Sequence, residues 1–305
     1  MAFRILSLDG GGSRGIYTLG VLNEVEMLLG APLYKHFDLI YGTSTGSIIG
    51  TLVALGKTIP EIKELYLKHV PEIMSGFRAK ERSRILKAKC DEFFGTATFD
   101  QVKTGIGVVA MNYDDTKPFI FKADVKQAYS RHATFLPGFG CTISTGIQAS
   151  CAAYPIFDMK QVVTGNQGTI CAVDGGFIAN NPVFFAITDA IGALRHKLED
   201  LKVLSVGTGN FVEKQISLKT ALFRKLKFVQ LFERTMKANS VTTESLVKFL
   251  FPELQIVRVN ETFNQPHYGT NMVEADPKKL ELLFRLGRDS YAGCEKEIKS
   301  LFQDS

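Results

Sequence analysis

The chain contains no uninterrupted apolar stretch approaching about 20 residues, which excludes an architecture of membrane-spanning helices. It carries no charged leader followed by an apolar region and opens on the core strand Phe3–Leu8, so a soluble cytoplasmic location is expected. Repeats and low-complexity tracts are absent, which argues against solenoid and disordered classes. The five cysteines, Cys90, Cys141, Cys151, Cys171 and Cys294, show neither metal-ligand spacing nor a small secreted frame. Reduced core thiols are therefore expected, and no metal. There is no EF-hand string, and Asp114-Asp115 reads as a hairpin turn between strands at 106–111 and 118–122. No recognised nucleic-acid module appears, so direct reading of DNA is not expected. Histidine is scarce too: none of His36, His69, His132, His196 and His267 has a catalytic setting, and each reads as a surface residue.

What is present describes an α/β protein. With 305 residues and 45% hydrophobic content the chain can bury a substantial core. Strand, helix, strand, helix, joined by short glycine turns, predicts a mostly parallel sheet covered on both faces, a three-layer α/β/α arrangement. Further helices are predicted at 60–74, 83–94 and 182–198. Beyond Gly209 the character changes: helices at 217–237 and 240–250, a strand at Gln255–Val259, and a final helix or pair at 277–302. The expected organisation is a catalytic core over 1–210, with a mainly helical part, 211–305, packed on the same domain.

Two segments carry chemistry. Gly42-Thr43-Ser44-Thr45-Gly46 lies between an apolar strand at 37–41 and an apolar helix, the context a nucleophile elbow requires. Small residues flank Ser44 because a strained turn brings strand and helix backbones together. Upstream, the first strand runs into Asp9-Gly10-Gly11-Gly12-Ser13-Arg14-Gly15 and then a helix pattern through Ile16, Leu19, Leu22 and Val25. Gly10, Gly12 and Gly15 also satisfy the dinucleotide fingerprint G-x-G-x-x-G. That reading lacks its second half, because the next strand ends in the serine elbow and not in a ribose-binding acid. Amides on a glycine loop facing a serine fit an oxyanion hole better, each donor contributing about 2.7–4 kcal/mol in the transition state. A third strand delivers Asp174 to Gly175-Gly176, ahead of Asn180-Asn181-Pro182 and another helix.

Taken together, Asp9-Gly-Gly-Gly-Ser-Arg-Gly15, Gly42-Thr-Ser-Thr-Gly46, Ala149-Ser-Cys-Ala-Ala-Tyr-Pro155, Asp174-Gly-Gly176 with Asn180-Asn-Pro182, and Leu204-Ser-Val-Gly-Thr-Gly209 resemble the patatin-like phospholipases in order and spacing. The resemblance covers roughly the first two-thirds of the chain. It implies a Ser-Asp dyad without histidine: Ser44 as nucleophile, Asp174 as base, the amides of Gly10, Gly11 and Gly12 as oxyanion hole. Arg14 matches the family's loop arginine, and Gly42, Gly46, Gly175 and Gly176 are supporting positions. The implied substrate is a membrane phospholipid, cleaved with no required cofactor, through peripheral contact at the inner membrane surface. For a free carboxylate near pKa 3.9 to act as base it must be desolvated, so burial of Asp174 against Phe177 or similar neighbours is expected.

The net charge of +5 is unevenly spread. Lys214, Lys219, Arg224, Lys225, Lys227, Arg234 and Lys237 interleave with apolar residues and suit either a membrane-facing helix or one packed on the core. Arg78, Lys80, Arg82, Arg84, Lys87 and Lys89 suit either a phosphate-bearing ligand or a solvated face. Compact bacterial patatins, which this chain resembles, include phospholipases switched on by cyclic nucleotides in anti-phage defence, so a cyclic dinucleotide activator, and a homo-oligomer, are within the expectation. A non-catalytic lipid- or nucleotide-binding module on the same fold is the alternative. The intact Ser44, Asp174 and glycine loop argue against it.

Overall fold

The computed structural model describes residues 2–129, 132–212 and 223–303. The strands are β1 (Phe3–Leu8), β2 (Leu39–Thr43), β3 (Gly105–Asn112), β4 (Lys117–Lys122), β5 (Lys160–Val163), β6 (Thr169–Asp174), β7 (Leu201–Val206), β8 (Asn210–Phe211), β9 (Gln255–Val259) and β10 (Thr262–Phe263). All but β8 and β10 form one eight-stranded sheet in the order β5-β6-β3-β2-β1-β7-β9, with β4 also pairing β3. The run from β3 through β2, β1 and β7 to β9 is parallel; β4 and β6 are antiparallel to β3. β1 and β7 are apolar on both faces because both are covered: Leu6, Leu8, Leu204 and Val206 join one core, and Ile5, Leu201 and Val203 join the other.

Helices α1 (Gly15–Leu29), α2 (Thr45–Ala54), α3 (Ile59–Ser75), α4 (Ala79–Phe94) and α5 (Ile143–Ser150) contribute to the larger core. On the other face lie α6 (Gly176–Ala179), α7 (Val183–Thr188) and the end of α8 (Phe223–Leu250), while α9 (Pro277–Gly293) packs along α1 and α10 (Glu295–Phe302) against β7 and β9. Sheet and two helical layers make the three-layer fold expected from the alternation.

Several elements differ from expectation. The helices predicted at 217–237 and 240–250 are one helix, because Ala238-Asn239 contains nothing that stops it; residues 217–222 lie outside the described residues. The helix predicted at 182–198 keeps regular α geometry only to Thr188 and widens to a π turn over Asp189–Ala193. There the buried Asp189 carboxylate accepts from Tyr41 Oη and Lys122 Nζ, each at 2.5 Å. β5 was not foreseen, being short and half exposed. His69 is buried, its ring 4.9 Å from that of Phe93, not on the surface as its charged neighbours suggested.

Candidate active site

Ser44 stands between β2 and α2 at φ 52°, ψ −120°, a conformation that costs a non-glycine residue energy and is typical of functional turns. The backbones touch on both sides of it. A methyl at Gly42 would lie 2.4 Å from Gly46 O, and one at Gly46 would lie 2.3 Å from Leu8 O, which is why both positions are bare.

The register of β3 brings the acid to the serine. β2 pairs with Gly105–Val109 in parallel, and β6 takes over the same edge at Ala110–Asn112 in the opposite sense. The two strands therefore meet end to end, Thr43 opposite Val109 and Asp174 opposite Ala110. Ser44 Oγ donates to Asp174 Oδ2 at 2.7 Å, and Gly176 N donates to Asp174 Oδ1 at 2.7 Å. Asp174 is wholly buried, and that burial pushes its carboxyl up from 3.8 to about 7 despite the opposing hydrogen bonds from Ser44 and Gly176. Phe177 is not the cover: it stays part-exposed and packs on Phe232 of α8. No histidine hydrogen-bonds either residue among the described residues.

The glycine loop sits beside the elbow. Gly10 N donates to Asn180 O at 3.0 Å, so that amide is committed. The Gly11 and Gly12 amides have no acceptor among the described residues, and Gly12 lines the same cleft as Ser44. Arg14 braces the loop, its Nε donating to Gly11 O at 3.5 Å, and reaches Glu233 of α8 at 3.9 Å. Asp9, the first residue of the motif, is held by a two-pronged ion pair with Arg258 of β9 at 2.8 and 2.6 Å.

Three groups the sequence did not single out fix this geometry. Ser150 Oγ accepts from Ser44 N at 2.9 Å and donates to Val109 O at 2.6 Å, while Ser150 O and Ala152 O accept from Gly175 N and Asp174 N. One short segment thus holds both halves of the pair. Tyr66 Oη contacts Thr45 Oγ1 at 2.8 Å and donates to Gly12 O at 2.6 Å, tying elbow to loop. Met272 O accepts from Ser13 N and Oγ, both at 2.9 Å. Ser150 was legible only as part of a motif string; Tyr66 and Met272 carry no local signal. Ser150→Ala leaves the Ser44 amide and the Val109 carbonyl without a partner, and loosening the elbow by about 1 Å costs up to about 100-fold in turnover. Steady-state kinetics should show kcat falling with KM little changed.

Two separate cavities flank the glycine loop. A narrow apolar cleft of about 50 Å³ runs from Ser44 between Ile48, Tyr66, Val70, Leu86, Ile156 and Phe157. A polar cavity of about 210 Å³ lies on the other side, under α8. Between them Met236 of α8 presses its methyl toward the pair: a methyl at Gly176 would meet Met236 Cε at 2.9 Å and Asp174 Oδ1 at 3.0 Å. Of the first basic cluster, Arg234 and Lys237 line the polar cavity; Lys214 and Lys219 fall outside the described residues, as do the side chains of Arg224, Lys225 and Lys227. In the second, Lys87 pairs with Asp91, and Lys89 with Glu72 and Glu92, as on a solvated face. No acidic, histidine or cysteine cluster able to hold a metal occurs among the described residues, and no helix among them is long and apolar enough to cross a membrane.

A serine on a strand–turn–helix elbow, bonded to a buried carboxylate beyond a three-layer sheet, is the arrangement of an α/β acyl hydrolase. The chain belongs to the patatin-like phospholipase family, whose model matches residues 6–187. It is 43% identical over 296 residues to a cUMP-AMP-activated phospholipase of Escherichia coli, covering 97% of this chain and 92% of that one. It is 31% identical over 218 residues to a cGAMP-activated phospholipase of Pseudomonas aeruginosa, covering 68% and 62%. Among solved structures, VipD from Legionella pneumophila shares the fold, with a TM-score of 0.54 at 13% identity over 98% of this chain and 67% of that one.

Proposed function

We propose that the protein cleaves fatty-acyl esters of membrane phospholipids with Ser44 as nucleophile and Asp174 as the only base. The observation that carries this is the 2.7 Å hydrogen bond from Ser44 Oγ to a carboxylate that is fully buried. Ser44 Oγ attacks the ester carbonyl and passes its proton to Asp174. The Gly11 and Gly12 amides receive the developing oxyanion; Gly10, whose amide is engaged by Asn180, serves to let the loop approach the elbow. Collapse expels the alcohol, which takes the proton from Asp174. Asp174 then deprotonates a water that attacks the acyl-enzyme, and the fatty acid leaves as Ser44 regains its proton. The apolar cleft beside Ser44 accepts the acyl chain.

The same reading places the enzyme at the inner membrane surface of the cytoplasm, in antiviral defence, with a cyclic dinucleotide as activator. Likeness to a cUMP-AMP-activated phospholipase over nearly the whole chain supports the activator. The outward residues Leu231, Leu246, Phe249 and Leu250 of α8 are exposed and support contact with the bilayer surface. The test is covalent capture. An alkyl fluorophosphonate should add once, on the peptide carrying Ser44, in parallel with loss of fatty-acid release from vesicles assayed with cUMP-AMP. Labelling elsewhere, or release that survives full labelling, would reject the assignment.

A further inference from the structure

The polar cavity lies beyond the carboxyl ends of β1, β7 and β9, the position where open α/β sheets take ligands. It shares no lining residue with the apolar cleft. Four cationic side chains line it, Arg14, Arg234, Lys237 and Arg258, against three carboxylates, Asp9, Glu233 and Glu244. Two buried atoms on its wall lack hydrogen-bond partners among the described residues: Asn180 Oδ1, an acceptor, and Arg258 Nε, a donor that stands 3.7 Å from Glu244. Buried polar atoms left unpaired are costly, so a ligand supplying an anionic oxygen to one and an N–H to the other would satisfy both.

One residue of this cavity's roof, Met236, also approaches the Ser44–Asp174 pair. Glu233, Met236, Lys237, Ser240 and Glu244 form one face of α8, and the Met236 methyl reaches past Gly10 and Gly176 toward Ser44 and Asp174. α8 is fastened to the site by Asn239, which accepts from Asn180 N at 2.8 Å and donates to Ile178 O at 3.0 Å, and by Ser240 Oγ donating to Asp9 at 3.2 Å. A ligand filling the cavity presses on these attachments.

We propose that this cavity binds the cyclic dinucleotide, its phosphates on the cationic wall, and that occupancy moves α8 so that Met236 withdraws from Ser44 and Asp174. The inference rests on the hydrolytic reading above and adds to it the place and the lever of activation. A phospholipid head group offers the same phosphodiester chemistry. The nucleotide is favoured because Ser44 does not line this cavity, whereas a head group must stay next to the ester being cut.

The full chain would be titrated calorimetrically with cUMP-AMP and with cGAMP, and fatty-acid release measured from phosphatidylglycerol–phosphatidylethanolamine vesicles. Lys237→Glu, a change at an exposed residue, should weaken nucleotide binding about tenfold or more and leave nucleotide-free release unchanged. Val241→Trp, which fills the cavity without changing charge, should do the same. Met236→Ala should raise release in the absence of nucleotide and, because coupling is reciprocal, bind nucleotide more tightly than wild type. Unchanged nucleotide affinity in both cavity variants would overturn the site. An altered KM for vesicles with unchanged nucleotide affinity would overturn it in favour of a head-group site. If Met236→Ala hydrolyses lipid but no variant binds nucleotide, the site fails while the hydrolytic reading stands. If nucleotide binds with the expected pattern and no variant releases fatty acid, the coupling to the reacting pair fails together with the hydrolytic reading.

Discussion

Exchanging Asp174 for asparagine is expected to lower fatty-acid release by about 10²–10⁴-fold, the contribution a positioned general base makes. Asparagine has the same shape. Its carbonyl oxygen can keep the bond from Gly176 N and its amide can donate to Ser44 Oγ, so the site stays filled while nothing remains to accept the serine proton. The wild type adds a pH signature. With the carboxyl pushed up to about 7 by burial, the base is protonated below that value, and kcat/KM should rise with pH through about 7 and then level off. Stability runs the other way. Because the folded pKa lies above the unfolded value near 3.8, the native state binds the proton more tightly, and stability falls as pH rises from about 4 to about 7. Asp174→Asn removes that penalty, so the variant should melt higher than wild type at pH 8 and show little gain at pH 4. A variant that keeps turnover, or that melts lower at pH 8, would contradict the role assigned to the buried carboxylate.

Gly46→Ala should damage both fold and turnover. The added methyl would sit 2.3 Å from Leu8 O and 2.7 Å from Asp9 O, and both obstacles are main chain, which cannot rotate away. Relief requires α2 and the end of β1 to separate. Overpacking of this kind costs about 1–3 kcal/mol, or about 2–5 °C in melting temperature for a chain of this length. The larger effect is catalytic. Asp9 leads directly into Gly10, Gly11 and Gly12, so the displacement moves the amides away from Ser44, and a shift of about 1 Å lowers turnover by about 100-fold. Calorimetry and vesicle assays on one preparation separate the two losses. Full activity with a lowered melting temperature would show that the loop and elbow can part without affecting chemistry.

These two positions mark where the sequence is informative. Gly42, Ser44 and Gly46 are legible because a strained strand-to-helix turn is a local demand met by neighbouring residues. The same holds for the glycine loop between β1 and α1 and for the strand reaching Asp174 at a Gly-Gly turn. The alternation of buried strands with helices was legible from composition and period, and so was the strand Gln255–Val259. At 240–250 the local reading was right about the helix and wrong about its separateness, since a stop needs a breaker and Ala238-Asn239 supplies none.

What remained out of reach depends on residues far apart in the chain. Ser44 meets Asp174 across 130 positions only because β2 and β6 end head to head on one edge of β3, a consequence of register that neither strand encodes alone. Ser150 clamps the elbow across 106 positions, and Arg258 holds Asp9 across 249. The carboxyl that motif and family resemblance could only name owes its raised pKa to burial, which the assembled sheet and its covering helices create. Likewise the commitment of Gly10 to Asn180 O, and the Met236 methyl between two cavities, follow from how α6 and α8 close over the strand ends. By itself the sequence determined the turns, the glycines and the chemical groups presented at three strand ends, because those are set by short-range backbone sterics. Tertiary structure alone decided which groups meet, which amides stay free and how strongly the Asp174 carboxyl is desolvated, because hydrogen-bond partnership and exclusion of water exist only once distant segments pack.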